Sequence, residues 1–349
     1  ESRWGPEFEF YVFDSVAYEN GINRASYRLD SQEADWNSGE GGLGHYIPLH
    51  GGYHAIPPKD KLYNLRTAIM LALEDMGVPV KYHHHEVGGP GQVEIETDMM
   101  ALIAAGDTTM LAKYVAKMSA VANNQVVTFM PKPLFGEAGN GMHFHQQLFK
   151  NGRNLFYDPE GYGNLSQAAF HYIGGLLQHG AALLAFTNPS TNSYRRLVPG
   201  YEAPVNVFFS LANRSAAVRI PKYAHQADAA RLEFRPPDAS GNVYLMLAAQ
   251  LLAGLDGIRR QIDPSEAGFG PIDEDVFGWD EAKKETVKSL PDSLEVALQA
   301  LEADHDFLLA GDVFSVGLIR QWIDFKREEE HLQVRNRPHP FEMELYFDV

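Results

Sequence analysis

Residues 7–13, Glu-Phe-Glu-Phe-Tyr-Val-Phe, alternate polar and apolar, and this period of two predicts a strand. From about 37 to 52 the chain is polar and Gly-rich with no apolar period, which predicts a loop. Leu62, Leu65, Ile69, Leu73 and Met76 then step by three and four until Gly77, an amphipathic helix with its stop. Residues 78–87 and 92–97 predict two strands joined by the tight Gly88-Gly89-Pro90-Gly91 turn. Asp107 is placed to cap a helix running to about Asn123, with Leu111, Val115, Met118 and Ala122 on one stripe. Residues 142–149 alternate again, and long helical patterns occupy about 166–186 and 242–262. Between those helices lie a Pro/Gly-rich loop (188–204) and short strands near 205–220 and 231–235. Two further helices are predicted at about 293–309 and 315–331. Strands and helices mix without βαβ alternation, internal repeat or low-complexity segment, so the expected class is α+β rather than a doubly wound sheet.

At 349 residues the chain has room for two domains or one large one. Its 46 acidic against 29 basic residues give a formal charge of −17, which argues against nucleic acid and anionic membranes as partners. A small anion held by a local Arg cluster stays open. Cysteine is absent, which excludes disulfides, thiol catalysis and thiolate metal sites and fits a cytoplasmic setting. The most apolar stretch, 243–255, is too short to span a bilayer, and no signal peptide opens the chain. Residue 1 is Glu rather than Met and lies close to the first strand, so a preceding segment is expected.

The strands carry the candidate chemistry. Side chains alternate across a strand, so Glu7 and Glu9 share one face while Phe8 and Phe10 share the other. A solvated sheet face explains one such strand, but the pattern recurs. Glu86 and Glu94 flank the Gly-Gly-Pro-Gly turn beside Val87 and Val93. His143 and His145 lie opposite Met142 and Phe144, and Arg231, Glu233 and Arg235 lie opposite Leu232 and Phe234. Exposure does not explain His pairs and Arg-Glu-Arg interleaved with aromatics. If these faces converge, Glu7, Glu9, Glu86, Glu94, Glu233 and His143 meet in one cavity, and so many anions need cations. Oxygen-rich ligation favours Mg²⁺ or Mn²⁺ over Zn²⁺, with enough ligands for two ions. Arg196, Arg214, Arg219, Arg231 and Arg235 supply the complementary half, suited to phosphate and carboxylate. Metals plus arginines, with no P-loop motif, point to phosphoryl transfer by charge neutralisation and positioning.

In order along the chain, Gly-Pro-Glu-Phe-Glu-Phe (5–10), His-His-Glu-Val (84–87), Gly-Gln-Val-Glu (91–94), Phe-Met-Pro-Lys-Pro (129–133) and Gly-Met-His-Phe-His (141–145) are followed by Asn-Pro-Ser-Thr-Asn-Ser-Tyr-Arg-Arg-Leu-Val-Pro-Gly-Tyr-Glu-Ala-Pro (188–204). Asn-Arg-Ser (213–215), Arg-Ile-Pro (219–221), Arg-Leu-Glu-Phe-Arg-Pro-Pro-Asp (231–238) and His-Pro-Phe-Glu-Met-Glu-Leu-Tyr (339–346) complete the set. Together these motifs resemble type I glutamine synthetases from end to end. The resemblance implies a catalytic domain over 1–349, with a curved, mostly antiparallel sheet whose charged face lines a funnel and whose other face carries helices.

The resemblance also implies roles. Glu9, Glu86 and Glu94 match the ligands of one Mg²⁺ or Mn²⁺, and Glu7, His143 and Glu233 those of the other, which bridges ATP phosphates. Arg196, Arg235, Gly139 and His143 match glutamate-binding groups. Arg214, Arg219 and Arg231 match the arginines around the phosphates, and His145 lies where the nucleotide binds. Glu202 matches the flap residue that covers the site and takes a proton from ammonium, and Tyr53 matches an aromatic wall of the ammonium pocket. The implied reaction is phosphorylation of the γ-carboxylate of glutamate by ATP, then attack by ammonium to give glutamine. A ring oligomer, a dodecamer in type I members, is implied too.

This chain departs from the pattern in several places. The family's N-terminal β-grasp domain, which lends an Asp to the neighbouring subunit's ammonium site, is expected to lie outside residues 1–349. Ala138 stands where an Asn is usual near glutamate, with Asn140 after Gly139. Gln147, Lys81 and Met99 differ on the nucleotide side, and Phe277 replaces the Tyr that some members adenylylate, so that regulation is expected to be absent. Two other readings stay open: a γ-glutamyl ligase for a polyamine or monoamine, and a non-catalytic relative that keeps only the fold. Retention of every metal and phosphate-site group argues against the latter.

Overall fold

The computed structural model describes residues 1–200, 203–274, 276–280, 283 and 286–349. The first strand, β1 (Ser2–Phe13), starts earlier than the clean alternation. An exposed hairpin not foreseen in the sequence follows, β2 (Ser15–Asn20) and β3 (Ala25–Asp30), which among the described residues form a two-stranded sheet of their own. Helix α1 (Tyr63–Asp75) leads to β4 (Val80–His85) and β5 (Gln92–Thr97), as the pattern predicts. The short β6 (Met100–Ala101) precedes helix α2 (Leu102–Ala122), and β7 (Val126–Thr128) precedes β8 (Met142–Lys150) and β9 (Arg153–Asn154).

Helices α3 (Gln167–Gln178), α4 (Gly180–Thr187) and the one-turn α5 (Ser193–Arg196) lead to β10 (Asn206–Leu211), β11 (Ala216–Ile220) and β12 (Leu232–Phe234). Then come α6 (Val243–Arg260), α7 (Leu294–Ala303), α8 (Val316–Phe325), α9 (Leu332–Arg335) and α10 (Pro340–Tyr346). The main sheet runs β10-β11-β12-β8-β1-β5-β4, open at both ends, and every pair along it is antiparallel except β10 with β11. The class is α+β.

Four expected helix boundaries move, each for a physical reason. Asp107 is not a cap: α2 starts at Leu102, and the Asp107 carboxylate accepts the Tyr244 hydroxyl at 2.7 Å. The helix expected over 166–186 is two, broken at His179, whose Nε2 meets Asp256 at 3.0 Å and whose Nδ1 meets Asp304 at 2.8 Å. The pattern over 293–309 ends as α-helix at Ala303 and continues as a 3₁₀ segment from Asp306. The one over 315–331 turns into a π-helix after Phe325.

The apolar faces pack as the alternation demands. Phe8, Phe10 and Val12 of β1 share a buried cluster with Val93 and Ile95 of β5, Phe144 of β8 and the inner faces of α1 and α2. A second, larger cluster gathers α3, α4, α6 and α7 around Phe234 and Val218. There α3 and α6 meet backbone to backbone, since a Cβ on Gly175 would lie 2.1 Å from the Ala253 carbonyl oxygen. Among the described residues no helix is long and apolar enough to cross a membrane.

Candidate active site

Strand register brings the charged side chains together. Glu7 of β1 lies opposite Glu96 of β5 on one side and His143 of β8 on the other, while Glu9 lies opposite Glu94. Farther across, Glu233 of β12 pairs with His145 and with Arg219, and on the far side His84 of β4 pairs with Glu94. Because the opposite face is committed to the apolar core, this face is polar throughout. It bounds a cavity of about 590 Å³, lined among others by Glu7, Glu9, Glu86, Glu94, His143, Arg196, Arg214, Arg219, Arg235, Gly139 and Tyr53.

Ligand-type atoms cluster in three places. Glu7, His143 and Glu233 come within 4.8 Å of one another, as do Glu7, Glu96 and His145, and again His84, Glu86 and Glu94. Glu9 stands outside all three, with its carboxylate accepting the Gly141 amide at 2.5 Å. Glu7 is gripped from both sides, by His143 at 3.0 Å and His145 at 2.8 Å. Burial works to raise its carboxyl, yet the two imidazoles override it and hold Glu7 well below the ordinary range. Glu94 goes the other way: burial and the neighbouring Glu7, Glu86, Glu9 and Glu96 push it well above that range.

Glu233 is fully buried between two guanidiniums, Arg219 at 2.7 Å and Arg235 at 2.5 Å. Burial again opposes ionisation, and the two arginines prevail and lower it. Arg196 reaches the same region from α5. Its Nη1 donates to the Pro236 carbonyl at 2.6 Å and its Nη2 lies 3.3 Å from His143 Nε2. Gly139 makes this approach possible, since a Cβ there would sit 2.7 Å from Arg196 Cγ and 2.5 Å from the Pro131 carbonyl oxygen. Arg214 donates to the Tyr53 hydroxyl at 2.7 Å and lies over its ring.

A divalent cation fits this set on the structure's own terms. Glu96 Oε2 and His145 Nδ1 are buried without a hydrogen-bond partner, and the Glu94 carboxylate is buried among like charges. A cluster of carboxylates with unspent oxygens is chemistry for a hard ion.

Comparison with known proteins agrees. The family described as glutamine synthetase, catalytic domain, matches residues 1–346. The chain belongs to the glutamine synthetase family. The glutamine synthetase of Streptomyces coelicolor is 51% identical over 348 residues, covering 99% of this chain and 73% of that protein. Among solved structures, the Plasmodium falciparum glutamine synthetase superposes with a TM-score of 0.87 at 29% identity, covering 99% of this chain and 75% of that one. GmaS in complex with ADP follows at 0.79 and 30%, covering 100% and 73%. As a member of the glutamine synthetase family the chain is a ligase enzyme.

Some expected site residues lie apart from the glutamine synthetase cavity. His145 and Glu233 are wholly buried behind the lining groups, and Arg231 packs its guanidinium over Tyr223 with its Nε buried and unpartnered. Glu202 lies outside the described residues, as does the side chain of Phe277; Ala203, next to Glu202, borders the cavity. The Ala138 carbonyl accepts the Tyr11 hydroxyl at 2.7 Å, while Asn140 is spent on Gln92 and the Met130 carbonyl. Gln147 donates to the carbonyls of Asp228 and Ala230, and so fixes the backbone leading into Arg231. Two residues were missed. Glu96, paired with Lys81 at 2.7 Å, is the next same-face position after Glu94 and follows from the same period of two. His84, opposite Glu94, was quoted only as part of a motif.

Proposed function

We propose that the cavity catalyses ATP-dependent ligation of ammonium to the γ-carboxylate of L-glutamate through γ-glutamyl phosphate. The observation that carries this reading is the meeting, on one sheet face, of carboxylates that need cations with Arg196, Arg214, Arg219 and Arg235 that need anions. Arg196 and Arg235, with Gly139 giving close approach, bind and orient glutamate. A γ-carboxylate oxygen attacks the terminal phosphorus of ATP, the bond to the bridging oxygen breaks, and ADP leaves. Arg214, Arg219 and Arg231 offset the charge spread over the transferring phosphoryl, and His145 belongs to the nucleotide side. Glu202 takes one proton of ammonium, nitrogen attacks the γ-carbon, and phosphate departs with its oxygen and accepts the second proton that the nitrogen sheds. Tyr53 forms a wall of the ammonium pocket.

Glu7, His143 and Glu233 would hold one divalent cation, and Glu86 and Glu94, with Glu9 behind them, a second. Bound there, Mg²⁺ or Mn²⁺ would screen the phosphate charge that the arginines alone do not cover. We extend the reading to a catalytic domain over 1–349 completed by the β-grasp domain of a neighbouring subunit, in a ring-shaped homo-oligomer, a dodecamer, in the cytoplasm.

The test is amine-dependent phosphate release by the full-length protein with ATP, glutamate and Mg²⁺ or Mn²⁺, comparing ammonium with polyamines and monoamines. Preference for ammonium is expected. Preference for an organic amine would move the protein to the γ-glutamyl-amide ligases with its acid half unchanged. Failure to bind Mn²⁺ by calorimetry would leave only a fold.

A further inference from the structure

We propose that His84 is a metal ligand, giving the cation at Glu86 and Glu94 a nitrogen donor beside its oxygens. The inference rests on the reading of Glu86 and Glu94 as cation-holding residues. His84 stands directly opposite Glu94 in the β4–β5 register, with its Nε2 3.3 Å from Glu94 Oε1. Its Nδ1 lies 3.0 Å from the His85 carbonyl oxygen. A carbonyl only accepts, so Nδ1 carries the hydrogen, and in the neutral ring the lone pair sits on Nε2, facing a carboxylate oxygen.

Two electron-rich atoms at that distance need a proton or a metal cation between or beside them, and a bound cation displaces the proton. Glu94 is 6% exposed, lies opposite Glu9 in the β1–β5 register and shares its strand face with Glu96, so carboxylates crowd around it. Glu86 spends Oε2 on the Val87 amide at 2.7 Å, and its Oε1 lies 3.9 Å from His84 Nδ1, so the Glu86 carboxylate flanks the ring while Glu94 faces Nε2. The three donor atoms lie within 4.8 Å of one another.

The ring is also held in place. His54 and Tyr53 pack against it with centroids at 4.7 and 5.6 Å, and Tyr82 stacks at 5.9 Å. An imidazole whose Nδ1–H is tied to a backbone carbonyl while Nε2 faces the Glu94 carboxylate has the outer-shell support typical of ligating histidines. A nitrogen donor weakens selection for Mg²⁺, which prefers an all-oxygen shell, and shifts the site toward Mn²⁺.

The test uses the full-length protein with Mn²⁺ as the probe. His143 and His145 are the other ring nitrogens in the three clusters, so the first readout is electron spin-echo modulation of bound Mn²⁺ in a variant carrying both His143→Gln and His145→Gln. Nitrogen coupling is expected there and should vanish when His84→Ala is added. If that variant, loaded with Mn²⁺, shows no nitrogen coupling, the proposal is overturned and His84 is a counter-ion of Glu94. Calorimetry on single variants covers the case in which a combined variant does not fold. His84→Ala should weaken one class of Mn²⁺ site by about 10–100-fold and Mg²⁺ binding by less, so the preference for Mn²⁺ falls; an unchanged Mn²⁺/Mg²⁺ ratio counts against a ligand. Glu94→Gln separates the two claims. If it leaves Mn²⁺ stoichiometry intact, the cation reading of Glu86 and Glu94 fails. If it removes a class that His84→Ala leaves untouched, only the role of His84 fails.

Discussion

A carboxylate's neighbours decide its character, and Glu233 and Glu94 show the two extremes on one sheet face. Glu233 is fully buried but lies between Arg219 and Arg235, so it stays ionised. Replacing it as Glu233→Gln strands two guanidiniums, and urea unfolding should show a loss of roughly 3–5 kcal/mol near neutral pH. Its lowered folded pKa means that this contribution is present above the ordinary carboxylate range and is lost as pH falls through the lowered value. The gap between wild type and variant should therefore close in acid. Gly139→Ala is expected to raise the KM for glutamate more than about tenfold, because the new methyl must displace Arg196 or the Pro131 carbonyl. A KM left unchanged in steady-state assays would mean that Arg196 does not bind glutamate. Most of these residues were legible as types on a face. Glu96 lies beyond the motif that ends in Glu94, and only the strand periodicity, which runs on to it, marks it as a member of the same face.

At the scale of elements, strands were easier to read than helix ends. A strand with charge on one face and aromatics on the other declares both its period and its orientation. A helix boundary is set by what it meets. The break at His179 exists because its ring spans Asp256 and Asp304 and stacks on Phe307 at 4.0 Å, partners 77 and more residues away in sequence. The start of α1 shows the same logic: Asp60 accepts the Leu62 amide and holds Arg66 through two hydrogen bonds at 2.9 and 2.6 Å, both side chains buried. Asp60→Ala leaves a buried guanidinium unpaired and should cost about 3–5 kcal/mol in equilibrium denaturation. A loss under about 1 kcal/mol would show that Arg66 finds solvent instead. The β2–β3 hairpin escaped notice for the opposite reason: its strands are mostly exposed, so no buried face imposes a pattern.

For the whole molecule, the −17 formal charge and the crowded acidic face both make cations part of stability. Without metal, Glu94 favours its protonated form, its folded pKa being raised. The stability tied to that proton is complete below the ordinary carboxylate range and is lost as pH rises through the raised value. Chelation should therefore lower Tm, and the Tm gap between Mn²⁺-loaded and chelated protein should widen as pH rises. Calorimetric scans at several pH values check this, and a gap that narrows with rising pH contradicts the arrangement.

One consequence follows from the shared strands. The same backbone alternation that sends Phe8 and Phe10 into the core sends Glu7 and Glu9 toward the cavity. A slip of β1 by one residue would put carboxylates into the oil and aromatics into the funnel at once. The protein thus inspects its own assembly: a molecule that has hidden its grease has, by the same act, set out its tools.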